Sequence, residues 1–146
     1  NMEIKNEDKL VLDLASGNGV IAHHIRSKNN DAEIHLVDDM QLAVESSKLN
    51  IKDANSFFHW NNTLEEFESG FFDLIVSNPP FHFEHENNIE VSLDLFKQVK
   101  RCLKKEGSFQ LVANQHLNYK THLSKLFTNV KVFKENEKFV IYKCTN

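Results

Sequence analysis

Proline, glycine and cysteine are scarce in this sequence. The chain has two prolines, four glycines and two cysteines among its 146 residues, and it shows no internal repeat, low-complexity tract or linker. Cys102 and Cys144 lie far apart and lack the spacing of metal ligands, which favours a reducing, cytoplasmic compartment. Because prolines and glycines are so few, the places where they cluster need a physical reason.

Long apolar runs and an excess of positive charge are also lacking. No apolar stretch reaches the roughly eighteen residues of a membrane-spanning helix, and the first residues lack the order of a signal peptide. The net charge of −4 argues against strong sequence-independent binding of nucleic acid. It leaves a nucleic-acid substrate open, because local patches matter more than totals. With 40% hydrophobic and 26% charged residues, the sequence describes one globular domain.

Apolar segments alternate with amphipathic segments along the chain. This alternation predicts a doubly wound, mostly parallel α/β sheet with helices on both faces. Two closing strands joined by a polar turn predict an antiparallel hairpin. Strands are predicted at residues 9–15, 32–39, 55–60, 70–76 and 108–114, with the hairpin at 129–144. Helices are predicted at residues 20–29, 40–50, 89–107 and 119–127, with Gly107 as the left-handed stop of the third.

The unusual backbone residues fall in two loops. Gly17 and Gly19 follow the first predicted strand, and Pro79 and Pro80 follow the fourth. In an open α/β sheet, ligands bind outside the carboxyl ends of the strands, where the strand order reverses. If the first and fourth strands are neighbours at that point, both loops border the same crevice.

The first loop favours a nucleoside-containing cofactor. Its glycines let the backbone pass close to a ligand and open a helix N-terminus towards it. Asp13 can accept hydrogen bonds from loop amides or a ligand amine, and Asp38, at the end of the second strand, can hold two ribose hydroxyls. Residues 17–22 also satisfy the G-x-G-x-x-A form of the dinucleotide fingerprint, so a nicotinamide oxidoreductase stays open at this point.

The second loop presents an asparagine on a stiff backbone. The proline after Asn78 biases that residue away from the helical region, and Pro79 fixes its own φ. The Asn78 amide oxygen and the Pro79 carbonyl can both accept hydrogen bonds from one exocyclic amine, which favours a pyramidal nitrogen with an outward lone pair. Phe81 can stack on the planar group. The loop therefore favours in-line methyl transfer from a sulfonium to a planar amine, which needs position more than a strong base.

These motifs resemble the class I S-adenosylmethionine-dependent methyltransferases that act on exocyclic amino groups. Within that class, the segments NPPFH, VANQHLNY and KFVIYK resemble the bacterial ribosomal RNA guanine-N2 methyltransferases (RlmG/RsmC-like), over essentially all 146 residues. The resemblance implies a Rossmann-like fold with a seven-stranded sheet, and S-adenosylmethionine as cofactor with S-adenosylhomocysteine as product. It also implies ribosomal RNA as partner, its target guanine flipped or single-stranded. Residues 1–146 would be a catalytic domain excised from a two-domain protein whose N-terminal half helps to hold RNA.

The resemblance also implies roles for single residues. Asn62, rather than Asn61, would meet the adenine amine. Ala15 departs from the family pattern, which usually has glycine there, and its methyl group puts cofactor affinity in doubt. The residues that would bind the cofactor are Asp13, Ala15, Gly17, Gly19, Asp38, Asp39, Asn61, Asn62 and Asn78. Those that would hold the guanine are Asn78, Pro79, Pro80, Phe81 and His82, of which Asn78, Pro79 and Phe81 would be catalytic.

Two further clusters receive a plainer interpretation. His82 and His85 lie in a loop without a third ligand in view, so no metal is predicted. A basic face near the end of the third helix suits the negative helix terminus, and we favour a solvated face there over a phosphate site. Its members are Lys97, Lys100, Arg101, Lys104 and Lys105.

The sequence thus predicts an RNA guanine-N2 methyltransferase domain, and three alternatives stay open. The same chemistry could act on adenine N6 in nucleic acid or on a protein glutamine. A dinucleotide oxidoreductase is disfavoured, because nothing in hydride transfer calls for the NPPF segment. A methyltransferase-like half that binds RNA without turnover is disfavoured by the intact Asn78 motif.

Overall fold

A single sheet organises the computed structural model, which describes residues 2–79 and 86–146. The strands in this part of the chain are β1 (Leu10–Leu14), β2 (Glu33–Asp38), β3 (Ser56–Trp60), β4 (Phe72–Ser77), β5 (Leu103–Asn114), β6 (Asn129–Glu135) and β7 (Phe139–Thr145). Their order is β3-β2-β1-β4-β5-β7-β6. The pairs from β3 to β5 are parallel, and β7 is antiparallel to both of its neighbours. The predicted mostly parallel, seven-stranded sheet with a closing hairpin is confirmed.

Helices cover both faces of the sheet, as predicted. The described helices are α1 (Val20–Lys28), α2 (Gln41–Asn50), α3 (Glu86–Cys102) and α4 (Tyr119–Leu126). The central strands contribute to two apolar cores because alternate side chains point to opposite faces. Val11 of β1 packs in the core with α1, whereas Leu12 packs in the core with α3 and α4.

The strand order reverses at β1, which lies between β2 and β4. The loops that follow β1 and β4 therefore leave the same edge of the sheet next to each other. The Ser77 hydroxyl, at the end of β4, donates a hydrogen bond of 2.8 Å to the Leu14 carbonyl, at the end of β1. The condition set by the sequence analysis, that the first and fourth strands are neighbours where the strand order reverses, is met.

The end of the third helix differs from the prediction. The helix begins at Glu86 and ends at Cys102, and residues 103–107 belong to β5. The ladder between β4 and β5 is irregular, because Phe72 pairs with Leu103 and Leu74 with Ser108. Gly107 is therefore not a left-handed helix stop. A Cβ atom at Gly107 would lie only 3.0 Å from the Asp73 carbonyl oxygen, so close backbone approach is what requires glycine.

This correction also changes the predicted basic face. Lys104 lies in β5, where its ammonium donates to Asp73 Oδ1 at 2.9 Å. Arg101, in the last turn of α3, donates to the carbonyl oxygens of Leu64 and Phe67, both at 2.8 Å. Arg101 thus holds the segment before β4 against α3, and Lys104 ties β5 to β4, so both cations stabilise the fold.

The close approach at Gly107 predicts a stability loss for Gly107→Ala. The new methyl group would press against backbone carbonyls, so the free energy of unfolding in urea should fall by about 1–3 kcal/mol. Lys105→Ala, at an exposed neighbouring position, is the matched control and should change little. Gly107→Asn separates the two explanations, because a left-handed helix stop tolerates asparagine. Wild-type stability of Gly107→Asn would contradict the close-approach argument.

Candidate active site

The glycine loop after β1 is fastened to α2. Ser47 Oγ donates to the Gly17 carbonyl at 2.8 Å, and Asn50 Nδ2 donates to the Asn18 carbonyl at 3.0 Å. Ser47 is fully buried. Sequence reasoning did not single out either α2 residue, and the only signal was a polar side chain on the buried stripe of that helix. The loop is therefore a fixed part of the crevice.

Asp38 connects this loop to the end of β2. Its carboxylate is 8% exposed and accepts the Gly17 N–H at Oδ2, at 2.8 Å. Oδ1 accepts the Met40 N–H at 2.9 Å. An ionised carboxylate has about four acceptor positions, so each oxygen keeps one lone pair after these two bonds. The neighbouring Asp39 is exposed, and its carbonyl accepts the Trp60 indole N–H at 3.0 Å.

Ala15 adopts a left-handed backbone conformation. Its φ is +60°, and it is the one non-glycine residue with positive φ in the described part of the chain. The strained turn brings the Ala15 and Ser16 N–H groups to the Val37 carbonyl, at 2.8 and 3.2 Å. Gly17 also has positive φ, and a Cβ atom there would meet nothing within 4 Å. The loop thus leaves open space beside Gly17.

Asp13 lies beneath the loop, with no solvent exposure. Its Oδ2 accepts the Ala22 N–H in the first turn of α1, at 3.1 Å, whereas Oδ1 has no hydrogen-bond partner in the described structure. Burial, opposed by the Ala22 hydrogen bond and assisted by the nearby Asp38 charge, raises the pKa of Asp13 from 3.8 to about 7. The predicted bond from a backbone amide exists, and its donor belongs to the helix that follows the loop.

The loop after β3 separates the two asparagines predicted near the adenine. Asn61 Oδ1 accepts the N–H groups of Asn62 and Thr63, at 2.8 and 3.1 Å. Asn62 is exposed. The Asn61 amide oxygen is therefore used to form the turn, which agrees with the choice of Asn62 for ligand contact. Trp60, just before it, is 63% exposed.

Asn78 and Pro79 lie at the carboxyl end of β4, where Asn78 is exposed and Pro79 half-buried. The predicted substrate residues Pro80, Phe81 and His82 lie outside the described residues, as does His85. Asn78 borders a cavity of about 390 Å³ that the sequence did not reveal. Its lining residues are Asn78, Val112, Lys134, Glu135, Asn136, Phe139 and Ile141.

Among residues 2–79 and 86–146, no three histidine, cysteine or carboxylate side chains come together as metal ligands. Within the same residues, no helix is both long and apolar enough to cross a membrane.

The strand order and the two neighbouring loops define the class I methyltransferase architecture. The family model of the methyltransferase small domain matches residues 1–143, and the chain belongs to this family. The expectation of S-adenosylmethionine as cofactor is thereby confirmed.

Three solved structures illustrate the similarity. The T. thermophilus 16S rRNA guanine-N2 methyltransferase RsmC, in complex with AdoMet and guanosine, has a TM-score of 0.76 and 28% identity. The match covers 94% of this chain and 38% of that one. A TehB-like SAM-dependent methyltransferase from Corynebacterium glutamicum is similar in fold alone, with a TM-score of 0.72 and 15% identity. The match covers 95% of this chain and 80% of that one. A spermidine synthase bound to a transition-state analogue is also similar in fold alone, with a TM-score of 0.76 and 15% identity. The match covers 94% of this chain and 54% of that one.

The residues of the crevice fit this cofactor. Open space beside Gly17 leaves room for a ligand at the loop. Asp38 keeps spare acceptor positions after its two amide bonds, and Asn62 is exposed at the next loop. The buried Asp13 holds the first turn of α1, which follows the loop, by accepting the Ala22 N–H.

The conformation of Ala15 predicts that Ala15→Gly stabilises the protein. The left-handed region costs a non-glycine residue about 1–2 kcal/mol, and glycine recovers most of it despite its larger unfolded-state entropy. We expect the free energy of unfolding in urea to rise by about 1 kcal/mol. Ala54→Gly, in an exposed turn without positive φ, is the matched control and should lose stability. An equal loss in both variants would contradict the strain at Ala15.

The raised pKa of Asp13 predicts a pH-dependent stability. Between the ordinary value of 3.8 and about 7, the folded protein binds a proton that the unfolded chain does not. Stability therefore falls as the pH rises through this window and levels off above it. Asp13→Asn removes the group, so its gain over wild type should be largest above about pH 7. Urea unfolding across this range tests it, with the exposed Asp39→Asn as control, and parallel curves for wild type and Asp13→Asn would refute it.

Proposed function

We propose that this domain transfers the methyl group of S-adenosylmethionine to the exocyclic N2 amine of a guanine in ribosomal RNA. The observation that carries the proposal is the position of Asn78 and Pro79, at the carboxyl end of β4 beside the glycine loop of β1. Support for guanine comes from the 28% identical T. thermophilus enzyme, which was solved with AdoMet and guanosine. Ribosomal RNA in the cytoplasm would be the partner, with an N-terminal half to hold it in a longer protein.

The chain's own residues would act mainly by positioning. The cofactor supplies, when bound, an electrophilic methyl group on a sulfonium. Asn78 Oδ1 and the Pro79 carbonyl would accept the two hydrogens of the guanine amine, which turns the nitrogen lone pair outward. Phe81 would stack on the base. The guanine amine would gain the methyl group as the sulfonium leaves as the thioether of S-adenosylhomocysteine, and it would then release one proton to water. No strong base is needed, because the proton would leave only after the new bond has formed.

The neighbouring loops would hold the cofactor in register with that amine. Asp38 would accept the ribose hydroxyls with its spare lone pairs, and Asn62 would meet the adenine. Gly17, beside open space, would allow the backbone to approach the methionine part. A Cβ atom at Gly19 would lie 2.8 Å from the Ile51 side chain, so Gly19 would contribute by letting the loop pack against the end of α2. The hydrogen bond between Ser77 and Leu14 ties the strand that carries Asn78 to the strand that carries the glycine loop. Donor and acceptor would therefore share one rigid edge.

Asn78→Ala should lower methyl transfer by about a hundredfold, because a preorganised polar contact to the reacting group is lost. Asn78→Asp keeps an acceptor oxygen and should retain part of the activity. The substrates are in vitro transcribed small- and large-subunit ribosomal RNAs, with methylated nucleosides identified by mass spectrometry after digestion. Binding of S-adenosylhomocysteine, measured by calorimetry, should persist in both variants, weakened at most by the one contact that Asn78 would make with the cofactor.

The matched control is Asn129→Ala, which removes an exposed asparagine at the far end of β6. It should transfer methyl groups at the wild-type rate. Formation of N6-methyladenine instead of N2-methylguanine would show that the acceptor is adenine and not guanine. Cofactor binding without any methyl transfer would favour a non-catalytic RNA-binding half. Full activity of Asn78→Ala would contradict the role of Asn78.

A further inference from the structure

A row of residues crosses the sheet beside Asn78. Val112 of β5 pairs with Ile141 of β7, and Ile141 pairs with Lys134 of β6. Ser77 pairs with Leu111, so Asn78, one residue further, falls in line with Val112. The row ends in Asn78 on one side and Lys134 on the other. It forms the floor of the cavity of about 390 Å³.

A β-bulge places Lys134 in this row. Val132 pairs with Tyr142, but Lys134 pairs with Ile141, so the register shifts between them. Tyr142 packs in the core beneath α3 and α4, and Ile141, the adjacent residue of β7, points to the opposite face. Without the bulge, Lys134 would lie on the face of Val132. The bulge therefore aims the lysine at the face that carries Asn78.

Hydrogen bonds fix the far wall of this cavity, which we call the groove. Gln115, which follows β5, donates through Nε2 to the Asn136 carbonyl at 2.9 Å and to Glu135 Oε2 at 3.2 Å. Asn136 Oδ1 accepts the N–H groups of Lys138 and Phe139, at 2.9 and 2.8 Å. The turn between β6 and β7 is thus a preformed wall. Gln115 belongs to the VANQHLNY segment, whose role the catalytic chemistry did not explain.

One cation, Lys134, and one carboxylate, Glu135, line the groove, so it is the Lys134 ammonium at the outer end that suits an anion. Glu135 is held by Gln115, whereas Lys134 has no carboxylate within ion-pair distance among the described residues. Three strand spacings of about 4.8 Å separate Asn78 from Lys134, or about 14 Å in all. A single nucleotide placed between the side chains of Asn78 and Lys134 spans that distance. The apolar floor between them, from Val112 and Ile141, suits a planar base.

We propose that this groove seats the acceptor nucleotide, with the guanine over Val112 and Ile141 and with Lys134 on its phosphate. The assignment rests on the proposed function and extends it, because it names the part of the fold that binds the RNA strand. The cavity volume lies within the range of sites for small molecules. A single phosphate contact also agrees with a domain whose net charge is −4.

The test compares guanosine with guanosine 5′- and 3′-monophosphate, titrated into the chain with S-adenosylhomocysteine present and followed by NMR. Wild type should bind one of the monophosphates about fivefold tighter than guanosine, the size of an exposed charge pair. Lys134→Ala should bind all three alike and keep its affinity for guanosine. Lys120→Ala removes the same charge from α4, on the opposite face, and should keep the wild-type preference.

Several results would overturn the groove assignment. The wild type could fail to bind guanosine, or it could bind both monophosphates no tighter than guanosine. The preference for a monophosphate could also survive in Lys134→Ala, or be lost equally in Lys120→Ala. The proposed reaction is tested separately by formation of N2-methylguanine and its loss in Asn78→Ala. If N2-methylguanine forms while Lys134→Ala keeps the preference, only the groove fails. If the preference depends on Lys134 but no N2-methylguanine forms, only the reaction fails.

Discussion

The pair of hydrogen bonds at the Asp38 carboxylate is the interaction on which the cofactor side of the site depends. One oxygen accepts a hydrogen bond from the Gly17 N–H in the loop after β1. The other accepts a hydrogen bond from the Met40 N–H in the loop after β2. Without this carboxylate, the two loops would share no side-chain anchor, and Gly17 would lose the bond that fixes its N–H. The same group therefore builds the crevice and offers its spare lone pairs to a ligand.

Stability is given up where the site is formed. Ala15 is held in a conformation that favours glycine, and Asp13 is buried with one oxygen unpartnered. Both costs lie directly beneath or within the loop that would approach the cofactor, and the hydrogen bonds from α2 keep the loop in this strained shape. Strain of this kind persists only where the surrounding structure over-determines it. The hydrogen bonds of Ser47 and Asn50 supply that support.

Local signals predicted most of the fold, including the two strand ends from which the loops of the site leave. The apolar strands, the glycine loop and the two prolines each act through their own backbone preferences, so alternation and spacing sufficed for them. The predicted end of α3 was wrong because the pairing of Leu103 with Phe72 overrides the helical pattern of the sequence. The groove was missed because the face of Lys134 is set by a bulge whose register depends on β7. No periodicity within residues 129–135 contains that information.

The sheet divides the proposed reaction between two sets of strands. The cofactor would lie over β1, β2 and β3, and the acceptor over β4, β5, β7 and β6. Among the described strands, β1 and β4 are the one pair that joins the two sets, and the last rung of this pair, Leu14 with Ser77, carries the additional hydroxyl bond. Because in-line transfer depends on alignment of donor and acceptor, an error at this rung would be transmitted directly to the reacting atoms. Ser77 would thus act through the position of Asn78, which follows it, and not through contact with either reactant.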